Sequence, residues 1–121
     1  MRTVLIVEDS LTDKEMLTLC LRDSGITVLT ANSAEEAFQQ VKSHQFDLII
    51  LDVVLPDRSG FEICRELKED TTTSQVPVIM CSTKGTEMDK FWGLKQGADA
   101  YLAKPIDQDE LMQTVNQLVK A

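Results

Sequence analysis

Three segments of this chain are apolar without a break: Val4-Leu5-Ile6-Val7, Leu48-Ile49-Ile50-Leu51 and Val78-Ile79-Met80-Cys81. A strand with one wet face alternates apolar and polar residues. An unbroken run needs cover on both faces, which is the signature of buried parallel strands. Each run is strand-sized and far short of the ~20 residues that span a membrane. Stretches of helical length separate the runs, so strand and helix alternate. The pattern predicts strands near 3–8, 26–31, 47–52, 77–82 and 100–103. It predicts helices near 11–24, 33–44, 59–69, 86–96 and 107–120.

Five such βα units make an α/β domain of flavodoxin-like, doubly wound (βα)5 form. Its five-stranded parallel sheet takes the order 2-1-3-4-5, with helices on both faces. The weaker segments Ile26–Ala31 and Ala100–Ala103 belong at the sheet edges. Thr12 with Glu15, Ser33 with Glu36, and Ser59 with Glu62 fit the Ser/Thr-x-x-Glu capping box. Asp107 is placed to cap the last helix, with Glu110 three residues on. Gly25 and Gly97 fall where a left-handed residue ends a helix.

A chain of 121 residues supports one domain, residues 1–121, with a real core. Its net charge of −8 argues against direct nucleic-acid binding, which needs a basic face. No span-length apolar segment points to a membrane. Met1-Arg2-Thr3 leads straight into a strand with no signal-peptide pattern, so the expected location is cytoplasmic. Cys20, Cys64 and Cys81 are odd in number and lack CxxC spacing, and read as reduced thiols packed as small hydrophobes.

Acidic residues follow two of the apolar runs: Glu8 and Asp9 the first, Asp52 the third strand. With the order 2-1-3-4-5 these strands are neighbours at the switch point, where open α/β sheets place their functional crevice. Like charges at ~4 Å repel by roughly 4 kcal/mol at an effective dielectric of about 20. A proton or a metal ion must offset that. All three residues are hard oxygen ligands, and the chain's one histidine, His44, belongs at the far end of the second helix. Magnesium or manganese fits such a set. Glu8-Asp9 alone reads equally as a helix cap or solvated turn; Asp52 at the neighbouring strand end tips the balance to a metal site. Strand four ends in Ser82 and Thr83, and strand five in Lys104-Pro105. Alone these are a loop hydroxyl and a surface charge. At one rim they are an anion donor and a mobile positive charge, and the X-Pro bond is open to the cis form.

Taken together, Glu8-Asp9, Asp52-Val53-Val54-Leu55-Pro56 with Gly60, Ser82, and Tyr101 with Lys104-Pro105 resemble the receiver domain of two-component response regulators. The similarity runs the length of the chain, and with nothing following the domain it resembles the stand-alone CheY-like group. Asp89-Lys90-Phe91-Trp92-Gly93-Leu94-Lys95-Gln96-Gly97-Ala98 is similar to single-domain receivers of pilus and phototaxis systems. A receiver is itself a known example of the 2-1-3-4-5 order, so the fold is not independent support for the resemblance.

The resemblance implies a phosphoprotein that switches rather than an enzyme. Asp52 would take a phosphoryl group from a histidine kinase or phosphotransfer domain. Asp9 would hold Mg2+ directly, Glu8 largely through water, and Asp52 and the Val54 carbonyl would complete the ligands. Ser82 and Lys104 would face the phosphoryl oxygens. Ser82 and Tyr101 would form the switch, remodelling the surface of the fourth helix, fifth strand and fifth helix for a downstream protein target.

Some positions depart from the family's usual pattern. Glu8 stands for the commoner Asp, Ser82 for Thr, and Thr83 for a smaller residue. Val54, Thr83 and Lys84 are placed to tune access of water, and apolar Val54 is expected to prolong the phosphorylated state. Trp92 reads either as core or as a partner contact, and Phe91 as the core residue of the two. A haloacid-dehalogenase-like phosphatase would need a second Asp at position 54. A flavodoxin-like flavin carrier would need a Ser/Thr/Gly-rich phosphate loop in place of Glu8-Asp9. A phosphorylation-independent receiver scaffold would not need Asp9, Asp52, Ser82 and Lys104 together.

Overall fold

The computed structural model describes residues 2–119. Among these, strand and helix alternate: β1 Thr3–Val7, α1 Leu11–Asp23, β2 Thr27–Ala31, α2 Ala34–Ser43, β3 Leu48–Asp52, α3 Gly60–Glu69, β4 Val78–Ser82, α4 Glu87–Lys95, β5 Ala100–Ala103 and α5 Gln108–Leu118. The strands form one parallel sheet in the order β2-β1-β3-β4-β5. The weak segments are its edges, as expected. Each strand starts or ends within two residues of its expected bound. The last helix was expected through residue 120; α5 ends at Leu118, and Lys120 lies outside the described residues.

The unbroken apolar runs acquire their meaning from the two cores. Leu5, Val7, Ile49, Leu51, Val78 and Met80 face one layer with Ala34, Ala37, Ile63 and Leu67 from α2 and α3. Val4, Ile6, Leu48, Ile50, Ile79 and Cys81 face the other, with Leu17 and Leu21 of α1 and Leu111 and Val115 of α5. The side-chain period of two thus sends alternate residues of one run into opposite cores. Burying each such Leu, Ile or Val contributes about 1.5–3 kcal/mol.

Helix starts differ in detail from the expected boxes. Ser10, not Thr12, caps α1: its hydroxyl accepts from Asp13 N–H, and Thr12 lies inside the first turn. Ser33 accepts from Glu36 N–H as expected, but the Glu36 carboxylate reaches Asn32 N–H rather than the cap residue. Ser59 Oγ accepts from Phe61 N–H, while Glu62 N–H bonds to the Ser59 carbonyl and the Glu62 carboxylate turns to Arg58. A reciprocal box does form at α4, between Thr86 and Asp89. Asp107 accepts from Glu110 N–H. Gly25 and Gly97 have φ of 78° and 103°, conformations that β-carbons disfavour.

Phe91 corrects the sequence expectation. It is exposed, as is Trp92, at 55% and 53%. The buried residue of α4 is Gly93, where a Cβ would stand 2.7 Å from the Tyr101 ring. The helix packs through its glycine, so its aromatic residues face outward. The thiols are free, with Cys64 and Cys81 buried and Cys20 partly so. No helix among the described residues is long and apolar enough to cross a membrane.

Candidate functional site

Parallel strands end at one rim, which brings Val7, Asp52, Ser82 and Ala103 and the residues just beyond them together. Carboxylate oxygens of Glu8, Asp9 and Asp52 lie within 4.8 Å of one another. Glu8 is 1% exposed and Asp52 6%, while Asp9 is open to solvent. Glu8 is fixed at both ends: its N–H donates to Ala31 O at 3.0 Å, and Oε2 accepts from Ser10 N–H at 3.2 Å.

Asp52 closes β3 opposite Cys81. Burial first, then the neighbouring Glu8 charge and a shared proton contact with Glu8, push its carboxyl up to about 7; Lys104 and the Val54 N–H work the other way. A carboxylate held this far above its ordinary range is poised to exchange a proton for a cation.

Lys104 enters from the end of β5, where its N–H donates to Ser82 O at 2.8 Å and the Lys104–Pro105 bond is cis. Its Nζ stands 2.7 Å from Glu8 Oε1, 2.9 Å from Asp13 Oδ2 and 3.6 Å from Asp52 Oδ2. Burial pulls its pKa down, but the bonds to Glu8 and Asp13 more than reverse this, so the ammonium is retained.

Ser82 is fully buried, and its Oγ accepts from Lys84 N–H at 3.1 Å. The Tyr101 hydroxyl donates to the carbonyl of the same Lys84. Lys84 therefore links the two hydroxyls through its N–H on one side and its carbonyl on the other, and the two side chains also hydrogen-bond each other. Thr83 and the Lys84 side chain are exposed at this rim.

The loop after Asp52 is tightly closed. Val54 bridges Ser59, and Gly60 N–H donates to Val53 O at 2.7 Å. A Cβ at Gly60 would stand 2.2 Å from the Asp52 carbonyl oxygen, so only glycine fits there. The Val54 side chain is 53% exposed beside the crevice.

Two contacts had no place in the sequence reading. Asp13 is the second strong partner of Lys104. Asp57, in the loop after Asp52, accepts from the Ala34 and Glu35 N–H groups and so also caps α2. The Ser10-x-x-Asp13 spacing marks the start of α1 but not a partner at the end of β5. Nothing local signals the second.

The donor set at the rim is all oxygen, and one ammonium stands among Glu8, Asp9, Asp13 and Asp52. That surplus of negative charge fits a hard divalent cation such as Mg2+. Grooves also lie between α2 and the α3–β4 loop, lined by Val41, Lys42, Thr72 and Thr73, away from these carboxylates.

Residues 4–116 match the response regulator receiver domain model. The chain is 39% identical to protein PilH of Pseudomonas aeruginosa over 119 residues, covering 98% of each. It is 37% identical to the phosphate regulon transcriptional regulatory protein PhoB of the same organism, of which it spans 52%. Among solved structures, the chemotaxis protein CheY4 of Vibrio cholerae superposes with a TM-score of 0.90 at 31% identity, covering 98% of both chains. The Francisella response regulator 1452 receiver domain gives 0.91 at 28% identity, covering 98% of this chain and 97% of that one. With a match across nearly its whole length and a rim of strand-end carboxylates beside a lysine, the chain belongs to the response regulator receiver family.

Proposed function

We propose that Asp52 accepts a phosphoryl group from the phosphohistidine of a histidine kinase or phosphotransfer domain, in a Mg2+-dependent reaction. The observation that carries this reading is Asp52 itself: buried, within 4.8 Å of Glu8 and Asp9, and 3.6 Å from an ammonium. An Asp52 carboxylate oxygen attacks phosphorus; the new O–P bond forms as the histidine N–P bond breaks, and the imidazole nitrogen keeps the bonding pair. Water later hydrolyses the acyl phosphate.

Phosphoryl transfer needs positioning and charge neutralisation more than covalent help. Bound Mg2+ would supply positive charge on the phosphoryl oxygens. Glu8, Asp9, Asp52 and the Val54 carbonyl are the groups that would hold it. Lys104 neutralises the oxygens from the other side. Ser82, whose Oγ accepts from Lys84 N–H, would turn its own O–H from the Tyr101 hydroxyl to a phosphoryl oxygen.

The phosphoryl group adds about −1.5 to −2 charge. A Ser82 hydroxyl drawn toward it pulls on the Lys84 backbone, whose carbonyl Tyr101 holds from the next peptide unit. The ring lies against Gly93 of α4, so the pull is passed to the α4-β5-α5 surface, where Met88, Phe91 and Trp92 stand exposed for a protein target. Exposed Trp is a favoured anchor in such contacts. The protein is then a cytoplasmic switch that acts on its own phosphorylation, with residues 1–121 as one receiver.

Incubation with Mg2+ and acetyl phosphate followed by intact mass tests the reading. One added phosphoryl group is expected on the wild type and none on Asp52→Asn. Equal labelling of both, or none on the wild type with either acetyl phosphate or a phosphorylated kinase, rejects it.

A further inference from the structure

Lys104 is engaged away from the atom it is asked to serve. Its Nζ is closer to Glu8 and to Asp13 than to Asp52, at 2.7, 2.9 and 3.6 Å. The phosphoryl-acceptor reading gives Glu8 a reason to be there and Asp13 none. We infer that Asp13 is a positioning residue that holds Lys104 off Asp52 in the unphosphorylated protein and must release it when the phosphoryl group arrives. This rests on the proposed function above.

Asp13 is well placed for a reversible hold. Its backbone is fixed, because its N–H donates to Ser10 Oγ and Lys14 N–H bonds to Ser10 O at 2.9 Å. Its carboxylate therefore projects from the first turn of α1 at a set distance from the end of β5. Solvent decides which partner lets go. The Glu8 side chain is 1% exposed and that of Asp13 35%. A buried carboxylate that loses its cation has no water to replace it, whereas Asp13 rehydrates at little cost. An ammonium attracted to a phosphoryl dianion on Asp52 thus gives up Asp13 first and keeps Glu8. The hold also keeps the ammonium at 3.6 Å, out of hydrogen-bond contact with Asp52 at rest, leaving its carboxylate oxygens to a divalent cation.

The contact brings α1 into the control of the site. Any partner that draws the Asp13 carboxylate to itself would free Lys104 and favour transfer.

The test is a double-mutant cycle on labelling by acetyl phosphate with Mg2+, read by intact mass, using wild type, Asp13→Asn, Lys104→Met and the double variant. Releasing a partly exposed ion pair should speed labelling about three- to five-fold in Asp13→Asn. In the Lys104→Met background the same change should have no effect. Asp13→Glu should stay near the wild-type rate. As a readout apart from labelling, the Lys104 ammonium resonance in proton–nitrogen NMR of the Mg2+-free protein should move in Asp13→Asn. Asp13→Ser serves in the cycle if Asp13→Asn does not fold. An equal speeding in both backgrounds would make Asp13 a mere local charge and overturn the inference. So would labelling of the wild type with an unchanged Asp13→Asn rate. No labelling of the wild type would instead overturn the acceptor reading, and this inference with it.

Discussion

The two rims of the sheet treat charge in opposite ways. At the start of the strands, Lys68 Nζ donates to Asp99 at 2.9 Å and to Val76 O at 2.8 Å, and the same Asp99 oxygen accepts from Val78 N–H. Asp47 accepts from Thr3 N–H at 2.8 Å. Lys68 meets a single anion, Asp99, and the carboxylates of Asp99 and Asp47 satisfy the Val78 and Thr3 N–H groups. At the strand ends, one ammonium serves Glu8, Asp13 and Asp52, and Asp52 is pushed up to about 7. Both rims belong to the same five strands. One is stitched closed, its carboxylates taken up by backbone N–H groups and a single ion pair; at the other, several carboxylates share one ammonium, and that surplus is what a cation and a phosphoryl group can act upon.

That contrast makes opposite substitutions informative. Asp99→Ala should destabilise by about 2 kcal/mol in urea unfolding, because it strands Lys68 and the Val78 N–H together. Mg2+ affinity should be unaffected. Asp52→Asn, at the other rim, should stabilise the metal-free protein at pH 8 by on the order of 2 kcal/mol, allowing for solvent at the pocket mouth. A loss of stability there would show that the strand-end charges are already balanced.

The pH dependence carries the same sign. Asp52 has a folded pKa near 7, above its ordinary value of 3.8. Its contribution is therefore complete below about 4 and is lost as pH rises through 7. The wild type should lose stability relative to Asp52→Asn across that window. Added Mg2+ should restore more stability to the wild type at pH 8 than to the variant. Thermal unfolding at stepped pH, with and without Mg2+, measures both.

Kinetic and surface effects should be smaller. Val54 stands exposed beside the crevice without a hydrogen-bonding group. Val54→Asn should speed loss of the phosphoryl group several-fold, on the scale of about 1 kcal/mol per hydrogen bond, followed by mass after removal of the donor. Trp92→Ala should leave stability within about 0.5 kcal/mol, since the ring is exposed. A larger loss would place Trp92 in the fold rather than at a partner surface.

Much of this architecture can be read from residue order alone, for a physical reason. Strands apolar on both faces must be covered on both faces, and parallel strands end at a common rim. Glu8, Asp9, Asp52, Ser82 and Lys104 are near one another because topology leaves them nowhere else to go. What escaped the sequence depends on angles. The Asp13–Lys104 contact requires the tilt of α1 against β5, and the true cap at Ser10 sits two residues before the box inferred at Thr12. The Asp57 cap on α2 joins residues 23 apart through a loop whose path no local pattern encodes. Phe91 is exposed where the sequence reading makes it a core residue, because α4 approaches Tyr101 through Gly93.

The central claim is that the strand-end imbalance makes Asp52 the acceptor only with a divalent cation present. Borohydride reduction of the acyl phosphate, followed by peptide mapping, reads this directly. After reaction with acetyl phosphate and Mg2+, homoserine is expected at position 52, with none in the presence of chelator. Homoserine at Asp9, Asp13 or Asp57 instead, or equal conversion of Asp52 with the metal removed, would contradict it.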